Sequence, residues 1–251
     1  MKKKKRKIKP KIKKITIFII TILSIAILSV TIKYYLTANK PLKKVETKKE
    51  YYTISDFGYI KQTSKKDYNN NNIDDYQDIL EGAKKYAKLN PKYKSAYYAN
   101  GYPPVEKEGV CTDLIWYALQ QAGYDLKSMI SQDITENQEE YNIEIQDDNI
   151  DFRRVGNQEI FLKKYAESLT TDIYDTKNFM PGDILTFDNS AHIAMVSDKY
   201  NKNGVPYLIQ NRDETQKQKE EDRLEITEMK VTGHYRFTYN KKLEKLINKI
   251  K

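Results

Sequence analysis

Residues 109–123 read Gly109-Val110-Cys111-Thr112-Asp113-Leu114-Ile115-Trp116-Tyr117-Ala118-Leu119-Gln120-Gln121-Ala122-Gly123. Leu114, Ile115, Ala118, Leu119 and Ala122 recur on one helical face, and Gly123 closes the run. Upstream, the glycine and two prolines of Asn100-Gly101-Tyr102-Pro103-Pro104 exclude regular helix or central strand. Cys111 is therefore expected at or just before a helix N-terminus. There, partial positive charge and free N–H groups favour a thiolate. Trp116, one turn further on, reads as core.

Working outward, the pattern stays helical before residue 180 and becomes strand-like after it. Ile79, Leu80, Ala83, Tyr86 and Ala87 mark a helix from Tyr76 to Leu89 that Asn90-Pro91 ends. Another is expected from about Gln158 to Leu169, with Asn157 as its N-cap. Beyond residue 180, strands are expected at 184–187, 193–197, 207–210 and 231–239, separated by turns such as Pro181-Gly182 and Asn203-Gly204. Helices first and an antiparallel sheet second point to an α+β fold.

The chain has one cysteine and two histidines. A single cysteine forms no internal disulfide, so Cys111 is inert, intermolecularly linked or reactive. A reactive thiol needs a base. His192 opens an apolar strand after the turn Asp188-Asn189-Ser190, where its side chain can reach a helix end. His234 sits in a later strand and reads as structural. The base in turn needs a polar partner. A strand returning after Asn203-Gly204 brings Gln210 and Asn211 back toward His192, and only one of them can share its face.

The net charge of +9 is concentrated at the N-terminus: residues 1–14 hold ten Lys or Arg and no acid, whereas residues 51–251 carry −5. Nucleic acid is therefore not an expected partner. Ile15 to Ile32 are eighteen uncharged residues, and Tyr34, Tyr35 and Leu36 prolong the apolar stretch. The expected plan is a basic cytoplasmic segment at 1–14, a transmembrane anchor at 15–36 and a polar linker at 37–70. A globular domain at 71–240 and a solvated basic tail at 241–251 follow. The length of the apolar run and the lack of a small-x-small site favour an anchor over a cleaved signal peptide.

Asp147, Asn149 and Asp151 alternate as in a calcium loop, but Phe152 and Gln158 stand where glycine and glutamate belong, so no metal is expected there. Asp151, Arg153 and Arg154 read as an ion-pair network that fixes the loop above the cleft, with contact to an acidic substrate group as the alternative. The twenty-one tyrosines are too scattered for a sugar-binding face.

Cys111 before a helix, then Pro181-Gly182-Asp183-Ile184-Leu185-Thr186-Phe187 and His192-Ile193-Ala194-Met195-Val196, resembles the NlpC-type cell-wall cysteine peptidases, which are papain-like. Gly109 to Asp113, Asn149 to Val155 and Thr232-Gly233-His234-Tyr235-Arg236 are similar to an uncharacterised bacterial family within that superfamily, over roughly residues 76–238. The resemblance implies a papain-like fold of N-terminal helices packed on an antiparallel sheet, with Cys111 as nucleophile and His192 as base. It also implies Gln210 or Asn211 as the third group, and an oxyanion hole including the Cys111 N–H with an upstream tyrosine, Tyr98 or Tyr102. The expected protein is a membrane-anchored, extracytoplasmic monomer without cofactors that cleaves amide bonds, in cell-wall peptide or another amide substrate. The alternatives are a non-catalytic wall-binding or scaffold module and an acyltransferase or thioesterase acting on lipid-linked substrates. Specificity is expected in the loops over 130–155.

Overall fold

The computed structural model describes residues 10–38 and 49–250, and divides the chain into residues 1–48 and 49–251. The expected cytoplasmic segment therefore falls mostly, and the middle of the expected linker wholly, outside the described residues.

In the first unit, helix α1 runs Pro10–Ala38 without a break. Its span Ile17–Leu36, with mean hydropathy 2.2, is long and apolar enough to cross a membrane, a test that a signal sequence also passes. Thr21, Ser24, Ser29 and Thr31 turn their hydroxyls back onto carbonyls three or four residues earlier, so these polar groups are satisfied within the helix.

The second unit is α+β. Helix α2 (Asp75–Leu89) is N-capped by Asp74, and Asn90 ends it in the left-handed conformation. The two-residue strand β1 (Lys92–Tyr93) pairs in parallel with β2 (Glu108–Gly109), directly before α3 (Cys111–Gln121). Helices α4 (Leu126–Glu136) and α5 (Val155–Tyr165) follow. The strands are β3 (Glu167–Ser168), β4 (Ile184–Phe187), β5 (His192–Tyr200), β6 (Pro206–Ile209), β7 (Glu220–Glu221) and β8 (Val231–Arg236), and α6 (Lys241–Ile250) ends the described chain. The sheet order is β3-β8-β4-β5-β6-β7, antiparallel at every pairing.

Alternation along the strands separates two cores. Ile184, Ile193, Met195, Ile209 and Tyr235 face α2 and α3, while Leu185, Phe187, Ala194, Val196 and Leu208 face the opposite side with Phe179 and Leu224. Helices α2 and α3 cross closely at Gly82. A Cβ there would lie 2.8 Å from the Ala118 backbone, so only glycine allows this approach.

Four expectations need correction. Residues 49–70 are not a stalk. Tyr52 bridges β5 at Tyr200, the Tyr59 hydroxyl bonds to that of Thr176 at 2.5 Å, and Tyr68 stacks on Tyr124 at 4.4 Å. Polar composition concealed these aromatic anchors. The stretch 130–155 is not all loop, because Leu126, Met129, Ile130 and Ile134 form the buried stripe of α4. Helix α5 starts three residues before the expected Gln158, and Asn157 lies inside it, donating to the Asp151 carbonyl at 2.9 Å. Residues 241–250 are no solvated tail. Leu243, Leu246 and Ile247 of α6 are buried in the main core, with the lysines outward.

Leu246→Ala should therefore lower stability by ~2–4 kcal/mol in denaturant unfolding, whereas Lys245→Ala on the exposed side should leave the midpoint nearly unchanged.

Candidate functional site

The start of α3 is fixed by one buried carboxylate. Asp113 accepts the Val110 N–H at 2.8 Å and the Trp116 indole N–H at 2.9 Å. It also takes Arg153 in a two-pronged pair, Nε to Oδ1 at 2.7 Å and Nη2 to Oδ2 at 2.9 Å. The two side chains are 0% and 2% exposed. The remaining guanidinium nitrogen donates to the Ala96 carbonyl at 2.8 Å, so the carboxylate accepts four bonds and each nitrogen of the guanidinium donates one. Thr112 donates to the Arg153 carbonyl at 2.9 Å, and Gln158 donates to the carbonyls of Thr112 and Phe152 at 3.1 and 2.8 Å. The blocks at 109–113 and 149–155 are thus one assembly. Arg154 stands apart from it, in a 3.4 Å surface contact with Asp151.

Cys111 is the first residue of α3 and is 8% exposed. Burial pushes its thiol up to about 11, although the main-chain N–H groups of Ile193, Thr112 and Cys111 itself favour the thiolate. Desolvation outweighs the helix terminus, and the resting sulfur is protonated. His192 opens β5 after the turn Asp188-Asn189-Ser190, whose residues all have positive φ (47°, 54° and 70°). That turn is held by the Asp188 N–H to the Lys230 carbonyl at 2.9 Å, by the Asn189 N–H to Thr232 at 3.1 Å, and by Ser190 bonding to Glu159. It fixes where the imidazole leaves the sheet.

The His192 Nε2 meets Gln210 Oε1 at 2.9 Å. An amide oxygen only accepts, so Nε2 carries the proton and Nδ1 keeps the lone pair that a base needs. Burial lowers the His192 pKa, partly offset by the Gln210 bond. The pairing follows from register. Extending Met195↔Ile209 by one step sets Gln210 opposite Ala194, on the face of His192, and turns Asn211 to the other face. Asn211 is accordingly not the imidazole's partner: its Nδ2 donates to the Gly109 carbonyl at 2.8 Å and the Tyr86 hydroxyl at 3.1 Å. It pins the segment leading into Cys111. Among the described residues, no hydrogen bond joins the Cys111 sulfur to the His192 ring.

The two upstream tyrosines are engaged elsewhere. Tyr98 donates to Glu108 at 2.6 Å, and Tyr102 packs edge-on against Trp116 and Phe152 with its hydroxyl 3.4 Å from Asp125. Two other tyrosines lie where charge on Cys111 acts on them, Tyr86 of α2 and Tyr93 of β1. Burial raises the Tyr93 pKa, and negative charge on Cys111 is the next cause. Its place follows from the pairing of Tyr93 with Gly109, which a two-residue strand does not announce in sequence. A Cβ on Gly109 would come within 2.7 Å of the Tyr86 hydroxyl, so this approach to the site requires glycine.

His234 is structural. Its ring nitrogens meet the Thr170 carbonyl at 2.7 Å and Asp183 at 2.9 Å, and Phe179 stacks on it at 4.2 Å. Asp183 also binds Arg236 through two nitrogens, which ties the blocks at 181–183 and 232–236 together. Among the described residues, no set of three or more His, Cys, Asp or Glu side chains converges as a metal site. The calcium-loop spacing that the sequence shows imperfectly at 147–158 is nearer complete at 67–78. Asp67, Asn69, Asn71, Asp75 and Asp78 occupy positions one, three, five, nine and twelve there, and Asn72 has a positive φ of 67° at position six. Asp78 is bonded by the Asn69 and Asn71 amides. The other two carboxylates are likewise spent on protein donors, Asp67 on the Asn71 and Asn72 N–H groups and Asp75 on the Tyr68 N–H and the Tyr124 hydroxyl.

A model of the family described as "Domain of unknown function (DUF1287)" matches residues 80–237, more than half of the chain. The chain is also similar to the "Uncharacterized protein YijF" of Escherichia coli (strain K12), 33% identical over 154 residues, which cover 59% of this chain and 72% of that protein. No solved structure matches.

Two substitutions separate the adjacent amides. Gln210→Leu should lower the His192 pKa further in an NMR titration, since the lost bond favours the charged imidazole. Asn211→Leu should leave that titration in place while costing about 1–3 kcal/mol of stability. Arg153→Met, which strands Asp113, should cost about 3–5 kcal/mol in the same unfolding assay.

Proposed function

The chain belongs to the family of unknown function DUF1287, and we propose that its domain is a papain-like thiol hydrolase of NlpC type that cleaves amide bonds. The observation that carries this reading is the buried His192–Gln210 bond of 2.9 Å, which leaves Nδ1 free as a base one residue before the N–H that faces the Cys111 sulfur. The order Cys, His, polar residue along the chain supports it, as do the blocks around each. Helix α1 serves as the anchor, with its lysine-rich side in the cytoplasm and the domain outside, where cell-wall peptide is the substrate class.

The reaction starts from a neutral pair. As the Cys111 sulfur attacks the amide carbonyl, its proton moves to His192 Nδ1 and a carbon–sulfur bond forms. The Cys111 main-chain N–H and the Tyr93 hydroxyl receive the oxyanion. The imidazolium then protonates the leaving nitrogen as the carbon–nitrogen bond breaks. His192 next takes a proton from water, which hydrolyses the thioester and restores the thiol. Gln210 Oε1 holds the ring throughout, stabilising the imidazolium by a hydrogen bond without supplying a charge.

The raised thiol pKa and the missing sulfur–imidazole bond favour a second reading, a wall-binding module without turnover. Release of amine from purified wall peptide decides between them. Hydrolysis requires that Cys111→Ala abolish it and that His192→Ala lower kcat/KM by about a hundredfold or more, with thermal unfolding unchanged. No turnover by the parent protein, with wall fragments still bound by Cys111→Ser, would establish the module instead.

The pH profile is a further check. The His192 pKa lies below 6.5 because burial disfavours the imidazolium. Protonation removes the base, so kcat/KM should fall with acid at a midpoint below 6.5 and hold steady above it. A rise that continued toward pH 11 would mean that the free thiolate reacts without His192.

A further inference from the structure

Against the segment that leads into Cys111 lies a cleft of ≈ 320 Å³, bounded by the Asn90–Tyr93 segment and by Glu214, Gln216 and Lys219 from the chain that follows Gln210. Tyr93 of its wall pairs with Gly109, two residues before Cys111. The other wall is tied to the candidate base: the Gln210 N–H donates to the Lys219 carbonyl at 2.8 Å, extending the register Ile209↔Glu220 by one residue. Residues directly opposite share a face, so Lys219 projects on the side of the sheet that carries Gln210 and His192. At roughly 5 Å per strand its stem stands about 10 Å across the sheet from that of Ala194, and about 12 Å from that of His192 two residues further along β5.

Two side chains lining this cleft have unmet bonding capacity. Lys219 is only 3% exposed, and among the described residues its ammonium makes no ion pair within 4.0 Å. Burial lowers its pKa, and the acids that favour its charge, Glu221 and Asp213, act without direct contact. Gln216 is 9% exposed; its Oε1 accepts the Arg212 N–H at 2.8 Å, while its buried Nε2 has no partner. A cation with a buried stem, its ammonium at the cleft, and beside it a buried amide N–H without a partner among the described residues, together favour an acceptor there. Three ammonium protons and an amide N–H fit a compact planar anion, and a carboxylate is the anion that an amide substrate can carry.

We propose that Lys219 and Gln216 form a carboxylate subsite beside Cys111, so that the amide attacked lies close to a free carboxyl group of the substrate. Its catalytic role rests on the thiol-hydrolase reading; its capacity to bind does not. The exposed Glu214 on the rim repels a second negative charge, so the subsite takes a single carboxylate in preference to a polyanion.

Matched alkylating reagents test this on the full chain in detergent micelles. Iodoacetyl-glycine and iodoacetyl-β-alanine place a carboxylate at two distances from the reacting carbon, and their amides are neutral controls. The expected result is labelling of Cys111 about tenfold faster by the acid than by the amide at one spacer length. That preference should fall to about one in Lys219→Met and shrink in Gln216→Leu. A preference untouched by Lys219→Met, or lost equally in Lys217→Gln, an exposed lysine outside the cleft, would overturn the subsite as general surface attraction.

A thiol-independent arm separates the two claims. In Cys111→Ala, ligand-observed NMR should detect N-acetylglycine and not N-acetylglycinamide, with the binding lost on adding Lys219→Met. Acid and amide binding alike would overturn the subsite. Selective, Lys219-dependent binding together with a thiol no more reactive than in the unfolded chain would uphold the subsite and refute the hydrolase.

Discussion

The buried pair of Asp113 and Arg153 is the constraint around which the helical half of this domain is arranged. One carboxylate caps α3, anchors Trp116 and meets a guanidinium delivered from forty residues downstream, which also reaches the Ala96 carbonyl. Charges so deeply buried are tolerated when they are paired and hydrogen-bonded, and here the carboxylate accepts four bonds while each guanidinium nitrogen donates one. The pair contributes less to net stability than to placement. It sets where α3 begins, and therefore where the sulfur two residues before Asp113 stands relative to the sheet.

The sheet supplies a second, independent reference. Its register assigns Gln210 and Asn211 to opposite faces, and two chemically equivalent amides acquire different roles. One holds an imidazole. The other reaches through the fold to the Gly109 carbonyl and joins the strand to the segment ahead of Cys111. Helix start and strand are thus linked by Asn211, while the strained turn at 188–190 sets the direction of His192.

Much of this arrangement was legible in the sequence, for physical reasons. The α3 stripe, the change of period near residue 180 and the glycine-bearing turns are local signals, and the order of helices and strands follows from them. Other features were hidden because they depend on distant partners. Tyr52, Tyr59 and Tyr68 sit in a polar stretch that looks like linker until the surfaces they cover are known. The stripe of α6 is plain, but whether it meets solvent or a core is decided by the groove beside α4. Tyr93 carried no signal at all, since its place depends on a pairing two residues long. The choice between Gln210 and Asn211 required a register that periodicity alone does not fix. The helix terminus at Cys111 was visible, yet its expected effect on the thiol was outweighed by burial, which sequence does not measure.

That burial has a meaning beyond rate. Oxidation of cysteine by peroxide proceeds from the thiolate, through sulfenic acid to states that no reductant restores. A domain carried outside the cell would lack the reducing pool that repairs such damage. A sulfur kept protonated at rest until substrate arrives would present almost no thiolate to an oxidant. The burial of Cys111 would then be a form of durability, exchanging a preformed nucleophile for a longer working life in an oxidising place.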